Sequence, residues 1–202
     1  MGMTCSLHRV AAPDVARLRE SPSAVEDVLF PPGSTPPVVE VREKGIAGWL
    51  LRMVGVQVTQ VDPNWVPPGQ PEPPHDRIDL DKAWHGLHYI FTRTPWEGEP
   101  PGCFLVVGGE EIGDEDDENR ARMLDPDQVR QFSTFLGSIS DDEFASRFDA
   151  ERMTALEIYP PIWTREHEQP PPLEYLREEF RDLRQFVSAA AEQGNAIVVA
   201  LN

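Results

Sequence analysis

The sequence predicts an α+β domain in which a small mixed sheet packs with several helices. Short runs of strand-forming residues occur at both ends of the chain and near its middle, and segments with the apolar spacing of helices lie between them. The 202 residues are enough to bury one sizeable core, and nothing in the composition requires two. We therefore expect a single compact domain over residues 1–202.

The first strand is predicted over residues 2–9, where Met3, Cys5 and Leu7 alternate with polar residues and would share one face. Two short helices are predicted between residues 13 and 30, because a proline and a serine stand at positions that favour helix starts. The chain is therefore expected to begin with one strand and two short helices.

Three proline-rich stretches, at residues 31–37, 67–74 and 94–101, are predicted to be surface loops. Proline lacks the backbone donor that helices and interior strands need. Residues 46–61 lie between the first two stretches and fit a helix in part and a strand in part, so both alternatives stay open.

The most strongly patterned segment is residues 80–91, which is predicted to be a helix capped by Asp79. Its apolar residues recur at helical spacing and form a stripe that can lie against a core. Asp81, His85 and His88 fall on the polar edge beside that stripe, where a half-buried site would form. The stripe consists of Leu80, Ala83, Trp84, Leu87, Ile90 and Phe91.

The second half of the chain is predicted to contain an interior strand, several helices and a final strand. The interior strand is the apolar run of residues 103–107. Helices are predicted from Asp125, from Ser140 or Asp141, and over a long amphipathic segment that precedes the final strand at residues 196–201.

The net charge of −17 limits the classes of partner. Phosphate contacts need clustered lysine and arginine, so we expect no sequence-general binding of nucleic acid. No apolar run approaches the roughly 20 residues that span a bilayer, and Cys5 and Cys103 form no zinc motif. These features favour a soluble cytoplasmic protein without membrane contact, whose charge suits a basic protein partner.

Negative charge is concentrated in residues 97–118, which contain nine acidic residues and no lysine or arginine. A calcium loop beginning at Asp114 fits poorly, because Asn119 stands where that loop needs a glycine. The other interpretations are a solvated loop and a partner-binding segment. The candidate partner-binding residues are Glu110, Glu111, Asp114, Glu115, Asp116, Asp117 and Glu118.

Asp81, His85 and His88 are the candidates for chemistry. Spaced three and four residues apart on one helix, they could ligate zinc, iron or manganese, or the histidines could act as acid and base. The spacing matches no established metal motif. The competing interpretation is that the histidines are packed, with ring nitrogens bonded to backbone.

Three aromatic residues, Trp84, Tyr159 and Trp163, are candidates for lining a ligand pocket. Residues of this size belong to cores more often than to sites, so both interpretations stay open. The sequence contains no phosphate-binding glycine loop, no nucleophile elbow and no Cys-x-x-Cys motif. No catalytic residue, metal or cofactor is therefore assigned, and a binding protein is favoured over an enzyme.

A series of short motifs runs along nearly the whole chain. They are Met1-Gly2-Met3, the segment Leu80 to Tyr89, Gly108-Gly109, Ile158-Tyr159-Pro160 with Trp163, and Glu174-Tyr175-Leu176. In this order they resemble the YfbM-like family, small bacterial proteins grouped as a domain of unknown function. The resemblance implies a compact α+β domain in a bacterial cytoplasm and carries no established activity. The chain departs from the family in its proline-rich insertions and its acidic loop, where relatives tend to have Gly-Tyr-Gly-Pro-Ala-Arg near residues 119–122.

Two functions remain in competition. The first is a non-catalytic binding protein, of which an immunity-type inhibitor of a toxin is one example, engaging a basic partner through its acidic surface. The second is a small-ligand or metal-binding enzyme that uses Asp81, His85 and His88. Imidazoles that converge with Asp81 on a cavity would favour the second, whereas imidazoles bonded to backbone would favour the first.

Overall fold

The computed structural model describes residues 3–30, 38–40, 59–61, 76–113, 121–165 and 170–201. Contacts within the chain define two compact units, one of residues 1–29 and 73–202 and the other of residues 30–72. In the smaller unit, strand β2 (Val38–Glu40) pairs antiparallel with strand β3 (Thr59–Val61).

Two of the three predicted proline-rich loops, at residues 31–37 and 67–74, lie outside the described residues. The ambiguous segment of residues 46–61 is described only at its end, where it forms β3. These interpretations, and the prediction of one domain, stay predictions.

The larger unit contains a five-stranded sheet in the order β4, β1, β7, β6, β5. Every neighbouring pair in it is antiparallel. The α+β class is therefore confirmed, but the prediction of a mixed sheet is wrong. Pairing direction depends on how the chain returns along the sheet, which hydrophobic periodicity does not encode. The strands are β1 (Cys5–Val10), β4 (Arg77–Asp79), β5 (Glu110–Ile112), β6 (Ala121–Leu124) and β7 (Ala196–Leu201).

Seven α-helices fall within the described ranges. They are α1 (Val15–Glu20), α2 (Pro22–Leu29), α3 (Trp84–Thr92), α4 (Pro126–Ser138), α5 (Asp141–Arg147), α6 (Ala150–Ala155) and α7 (Pro172–Glu192). The predicted caps of α4 and α5 are confirmed, since Asp125 forms a complete capping box with Gln128 and the Ser140 hydroxyl accepts from the Glu143 amide. Among the helices just named, none is long and apolar enough to cross a membrane.

Both faces of the five-stranded sheet are buried. On one face, Cys5 and Leu7 of β1 join the large core formed with residues of α3 to α7. On the other, Val10 of β1 joins a smaller core with residues of α1 and α2. Strand β7 shows the same alternation, which explains why residues 196–200 are apolar without interruption and fully buried.

The predicted strand at residues 103–107 is wrong, because the segment forms consecutive turns. Its first three residues are nevertheless buried. The buried guanidinium of Arg122 donates hydrogen bonds to the backbone carbonyls of Leu105 at 2.9 Å and Gly108 at 2.8 Å. A side chain thus satisfies carbonyls that a neighbouring strand would otherwise have to satisfy, so an apolar run can be buried here without joining the sheet.

The predicted start of the central helix is also wrong. Helix α3 begins at Trp84, whereas the backbone of Leu80 still pairs with Cys5 of the sheet. Asp79 does not cap the helix, since its carboxylate accepts from the amide of Asp81 at 2.9 Å and so closes the preceding turn. Asp81 has a φ of 43°, in the left-handed region, and this conformation turns the chain from strand to helix.

Candidate functional site

His85 lies in the interior of the protein with both ring nitrogens bonded to backbone. Its Nε2 atom donates to the carbonyl of Pro95 at 2.7 Å, and its Nδ1 atom accepts from the amide of Tyr159 at 3.0 Å. These partners require the neutral tautomer with the proton on Nε2. Burial lowers the pKa of His85, which favours the same neutral form.

His88 lies one helical turn later and is fully buried. Its Nε2 atom donates to the carbonyl of Glu97 at 3.1 Å, and its buried Nδ1 atom has no hydrogen-bond partner. Burial, with a smaller contribution from neighbouring His85, lowers the pKa of His88 to about 4. Both histidines are thus neutral near pH 7 and hold the loop that follows α3.

Asp81 does not join the two imidazoles. It lies in the turn before α3, and its amide is bonded to Asp79. Within the ranges that the structure describes, no three His, Cys, Asp or Glu side chains come together as a group that could hold a metal ion. The backbone partners of both rings agree with the interpretation of packed histidines, and the described residues offer no support for a metal centre.

The loop after α3 presents Trp96, which sequence reasoning did not select. This residue is 50% exposed, although the two residues beside it in the chain, Pro95 and Glu97, have carbonyls bonded to buried histidines. Its ring centroid lies 4.3 Å from that of His85 and 6.1 Å from that of Trp84. The signal that could have identified it is a tryptophan inside a predicted proline-rich loop, at residues 94–101, and outside the amphipathic pattern of the preceding helix.

The three aromatic residues predicted to line a pocket have unequal positions. Trp84 is fully buried and its indole N–H donates to the carbonyl of Met3 at 3.2 Å. Trp163 is buried and donates to the carbonyl of Ile158 at 2.6 Å. Tyr159 is half-buried, with its ring 6.4 Å from that of Trp84. Trp84 and Trp163 therefore belong to the buried core, and only Tyr159 reaches the protein surface.

An acidic cluster lies beside these aromatic residues, at the junction of the turn before α3 with helix α7. Burial raises the pKa of Glu179 to about 7, and four other carboxylates add to this shift. We define the acidic cluster as Glu179 with Asp182, Asp81, Asp79 and Glu178.

The acidic cluster adjoins the aromatic residues through Tyr175. Burial raises the pKa of the Tyr175 hydroxyl, and the charges of Asp81 and Glu179 raise it further, while a hydrogen bond from the backbone of Lys82 opposes them. Tyr159 also contributes to this shift. Charged and aromatic groups thus share one region around the start of α3.

The acidic run predicted to bind a partner is described only at its beginning. Glu110 and Glu111 lie exposed on β5, the last strand on one side of the sheet as described. The carboxylate of Glu110 forms an ion pair with Arg19 at 2.7 Å. Residues 114–118 lie outside the described ranges.

Comparisons with known proteins give one family and one fold. A family model described as Domain of unknown function (DUF1877) matches residues 1–200. The crystal structure of a protein of unknown function, YfbM from Escherichia coli, is similar with a TM-score of 0.62 and 17% sequence identity, covering 98% of this chain and 99% of that chain. At this identity the likeness shows a shared fold. No curated protein matches the chain.

Proposed function

The chain belongs to the DUF1877 family of unknown function, and from that premise we propose that it is a non-catalytic binding protein that engages a basic protein partner through its acidic surface. The observation that carries this proposal is the acidic cluster. Burial raises the pKa of Glu179 to about 7, and the four other carboxylates of the cluster add to the shift. Like charges placed together destabilise a fold. The acidic cluster is therefore better explained by a function in binding than by a contribution to stability.

The wider charge distribution supports the same proposal. The chain carries a net charge of −17, and exposed Glu110 and Glu111 lie on β5, at the opposite edge of the sheet from Asp79 on β4. Opposite potentials raise association rates between proteins and exclude partners of the same sign. A cytoplasmic inhibitor of the immunity type, directed at a basic toxin, is the kind of protein that this charge suits. The same sign of charge argues against nucleic acid as the partner.

A charge-reversal experiment tests the location of binding. The probe is a fluorescent peptide of six lysines alternating with glycines, and the measurement is its dissociation constant at low and at moderate salt. Glu178→Lys with Asp182→Lys reverses two exposed members of the acidic cluster on α7. Asp142→Lys with Glu151→Lys is the matched control, because it changes the net charge equally at exposed positions on α5 and α6.

We expect the cluster variant to bind the peptide about tenfold more weakly than the control variant, and to show a smaller dependence on salt. A third variant changes Asp114, Glu115, Asp116 and Asp117 to Lys and measures the contribution of the acidic run. If all variants weaken binding only in proportion to net charge, the chain has no defined acidic binding surface and the proposal is wrong.

A further inference from the structure

We propose that Trp96 is the anchor on which the chain holds an arginine side chain of its basic partner. This inference rests on the proposed function and adds to it the position and the chemistry of one contact. Trp96 is the largest of the exposed apolar side chains in the part of the chain that the structure describes, with 50% of its surface accessible. Tryptophan and arginine are the residues most enriched at the centres of protein interfaces.

The backbone on both sides of Trp96 is held by buried groups. The carbonyl of Pro95 accepts from His85, and the carbonyl of Glu97 accepts from His88 and from the hydroxyl of Thr94. The ring itself lies against the buried imidazole of His85 at a centroid distance of 4.3 Å. An aromatic side chain held this way loses little conformational freedom when a partner binds, and this favours affinity.

The surroundings of Trp96 favour a cation. Glu97 and Glu99 are exposed in the same loop, and no residue between 94 and 101 is basic. Arg93, which precedes the loop, is engaged elsewhere, since its guanidinium lies 4.8 Å from the ring centroid of Tyr89 and donates to the carbonyl of Arg147. The face of an indole attracts cations more strongly than the other aromatic side chains do, and a planar guanidinium can stack on it.

The acidic cluster lies in the same region as Trp96. Both lie near the start of α3, because Asp81 is in the turn before this helix and the Trp96 ring packs on His85 in its first turn. An arginine held on Trp96 would therefore belong to a partner segment whose other cations face the carboxylates. This arrangement of a central aromatic anchor with a charged rim is common in protein interfaces.

The experiment compares two probes on matched variants. One probe is a fluorescent peptide with six arginines alternating with glycines, and the other replaces each arginine by citrulline, which has nearly the same shape without the charge. The variants are Trp96→Leu, Trp96→Phe and, as the control, Phe30→Leu, because Phe30 is an aromatic residue of nearly equal exposure at 49%. Both positions are exposed, and circular dichroism verifies that the three variants fold.

We expect Trp96→Leu to weaken binding of the arginine peptide about five- to tenfold, Trp96→Phe to weaken it about twofold, and Phe30→Leu to leave it unchanged. The citrulline peptide should bind all proteins weakly and without preference. The proposal that Trp96 holds an arginine is wrong if Trp96→Leu binds the arginine peptide as tightly as the parent protein does. It is also wrong if the citrulline peptide binds as tightly as the arginine peptide.

The outcomes separate this inference from the function on which it rests. If the acidic-cluster variant loses binding and Trp96→Leu does not, the proposed function is supported and the proposed role of Trp96 is wrong. If Trp96→Leu loses binding and the acidic-cluster variant binds as its control does, the proposed acidic surface is wrong and a local contact of arginine with Trp96 is supported. If the arginine peptide fails to bind the parent protein at low salt, both are wrong.

Discussion

The Nδ1 atom of His85 accepts a hydrogen bond from the backbone amide of Tyr159, which lies 74 residues later in the chain. The opposite ring nitrogen donates to Pro95. One neutral imidazole thereby connects helix α3 to two separate segments of backbone, and it can do so because a neutral histidine offers one donor and one acceptor.

Replacing His85 by leucine should destabilise the fold. The substitution leaves the amide of Tyr159 and the carbonyl of Pro95 without partners, and each buried unsatisfied group costs about 1 to 3 kcal/mol. We expect a loss of about 2 to 5 kcal/mol in the free energy of unfolding, measured with urea. His85→Gln retains an amide that can make one of the bonds and should lose less. Equal stability of His85→Leu and the parent protein would contradict the role assigned to the ring.

Stability should fall as the pH decreases from about 6.5 to about 4. Burial lowers the pKa of His8 and of His88 to about 4, against an ordinary value of 6.5. Below pH 6.5 the unfolded chain therefore binds protons that the folded chain excludes, and the loss is complete near pH 4. Each ring contributes at most about 3 kcal/mol.

Urea unfolding of the parent protein and of His88→Gln at pH 7 and pH 4.5 isolates the contribution of His88. Glutamine can donate to the carbonyl of Glu97 but does not titrate in this range. The parent protein should lose more stability between the two pH values than the variant does. The same loss in both proteins would show that His88 is not held neutral by burial.

Glu179 should have the opposite pH dependence. Burial and neighbouring carboxylates raise its pKa to about 7, from an ordinary value of 4.5, so the folded state disfavours the charge that it carries above pH 7. This side chain therefore lowers stability at pH 8, and its penalty disappears as the pH falls from 7 to 4.5. Glu179→Gln should stabilise the protein by about 1 kcal/mol at pH 8, after allowance for solvent screening.

The control for this substitution is Glu151→Gln on α6, where the side chain is exposed. It should change stability little at either pH. Thermal unfolding at pH 8 and pH 4.5 supplies the measurement for both variants. A stabilisation by Glu179→Gln that persists at pH 4.5 would mean that packing, and not charge, explains the effect.

Periodicity predicted that the apolar stripe of the central segment is buried, but it did not predict where the helix begins. The predicted half-buried edge is wrong for His85 and His88, which are 1% and 0% exposed. The apolar stripe depends on spacing alone, and the stripe residues from Leu80 to Phe91 are all buried. The helix start depends on whether the residues before Trp84 join the helix or stay bonded to the sheet and its turn, and spacing does not show which. The Asp79 carboxylate is used by the amide of Asp81, and Leu80 remains paired with Cys5, so the helix starts four residues after Leu80.

The candidate site was predictable only in part. His85 and His88 were identified from their place beside the stripe, and their backbone bonds agree with one of the two interpretations made of them. Trp96 and Glu179 depend on tertiary contacts between segments far apart in the chain. Their environments become visible only in the folded chain, where Trp96 packs on His85 and Glu179 of α7 lies near Asp81.

Replacing Gly86 by alanine should destabilise the protein even though alanine is the better helix former. A β-carbon at this position would lie 2.6 Å from the ring of Trp163 and 2.9 Å from a methyl group of Leu176. Helix α3 approaches both residues this closely because position 86 has no side chain. Relief of the overlap requires a shift of a packed indole, so we expect a net loss of about 1 to 3 kcal/mol in urea unfolding.

Gly137→Ala is the matched control, since this glycine lies within α4 and nothing stands within 4 Å of an added β-carbon. There the helix propensity acts alone and should stabilise the protein by up to about 1 kcal/mol. The two substitutions are chemically identical and should have opposite signs. Combining Gly86→Ala with Trp163→Phe should recover part of the loss, because the smaller ring vacates the space that the new methyl group needs. Stabilisation by Gly86→Ala alone would contradict the close packing of α3 against Trp163.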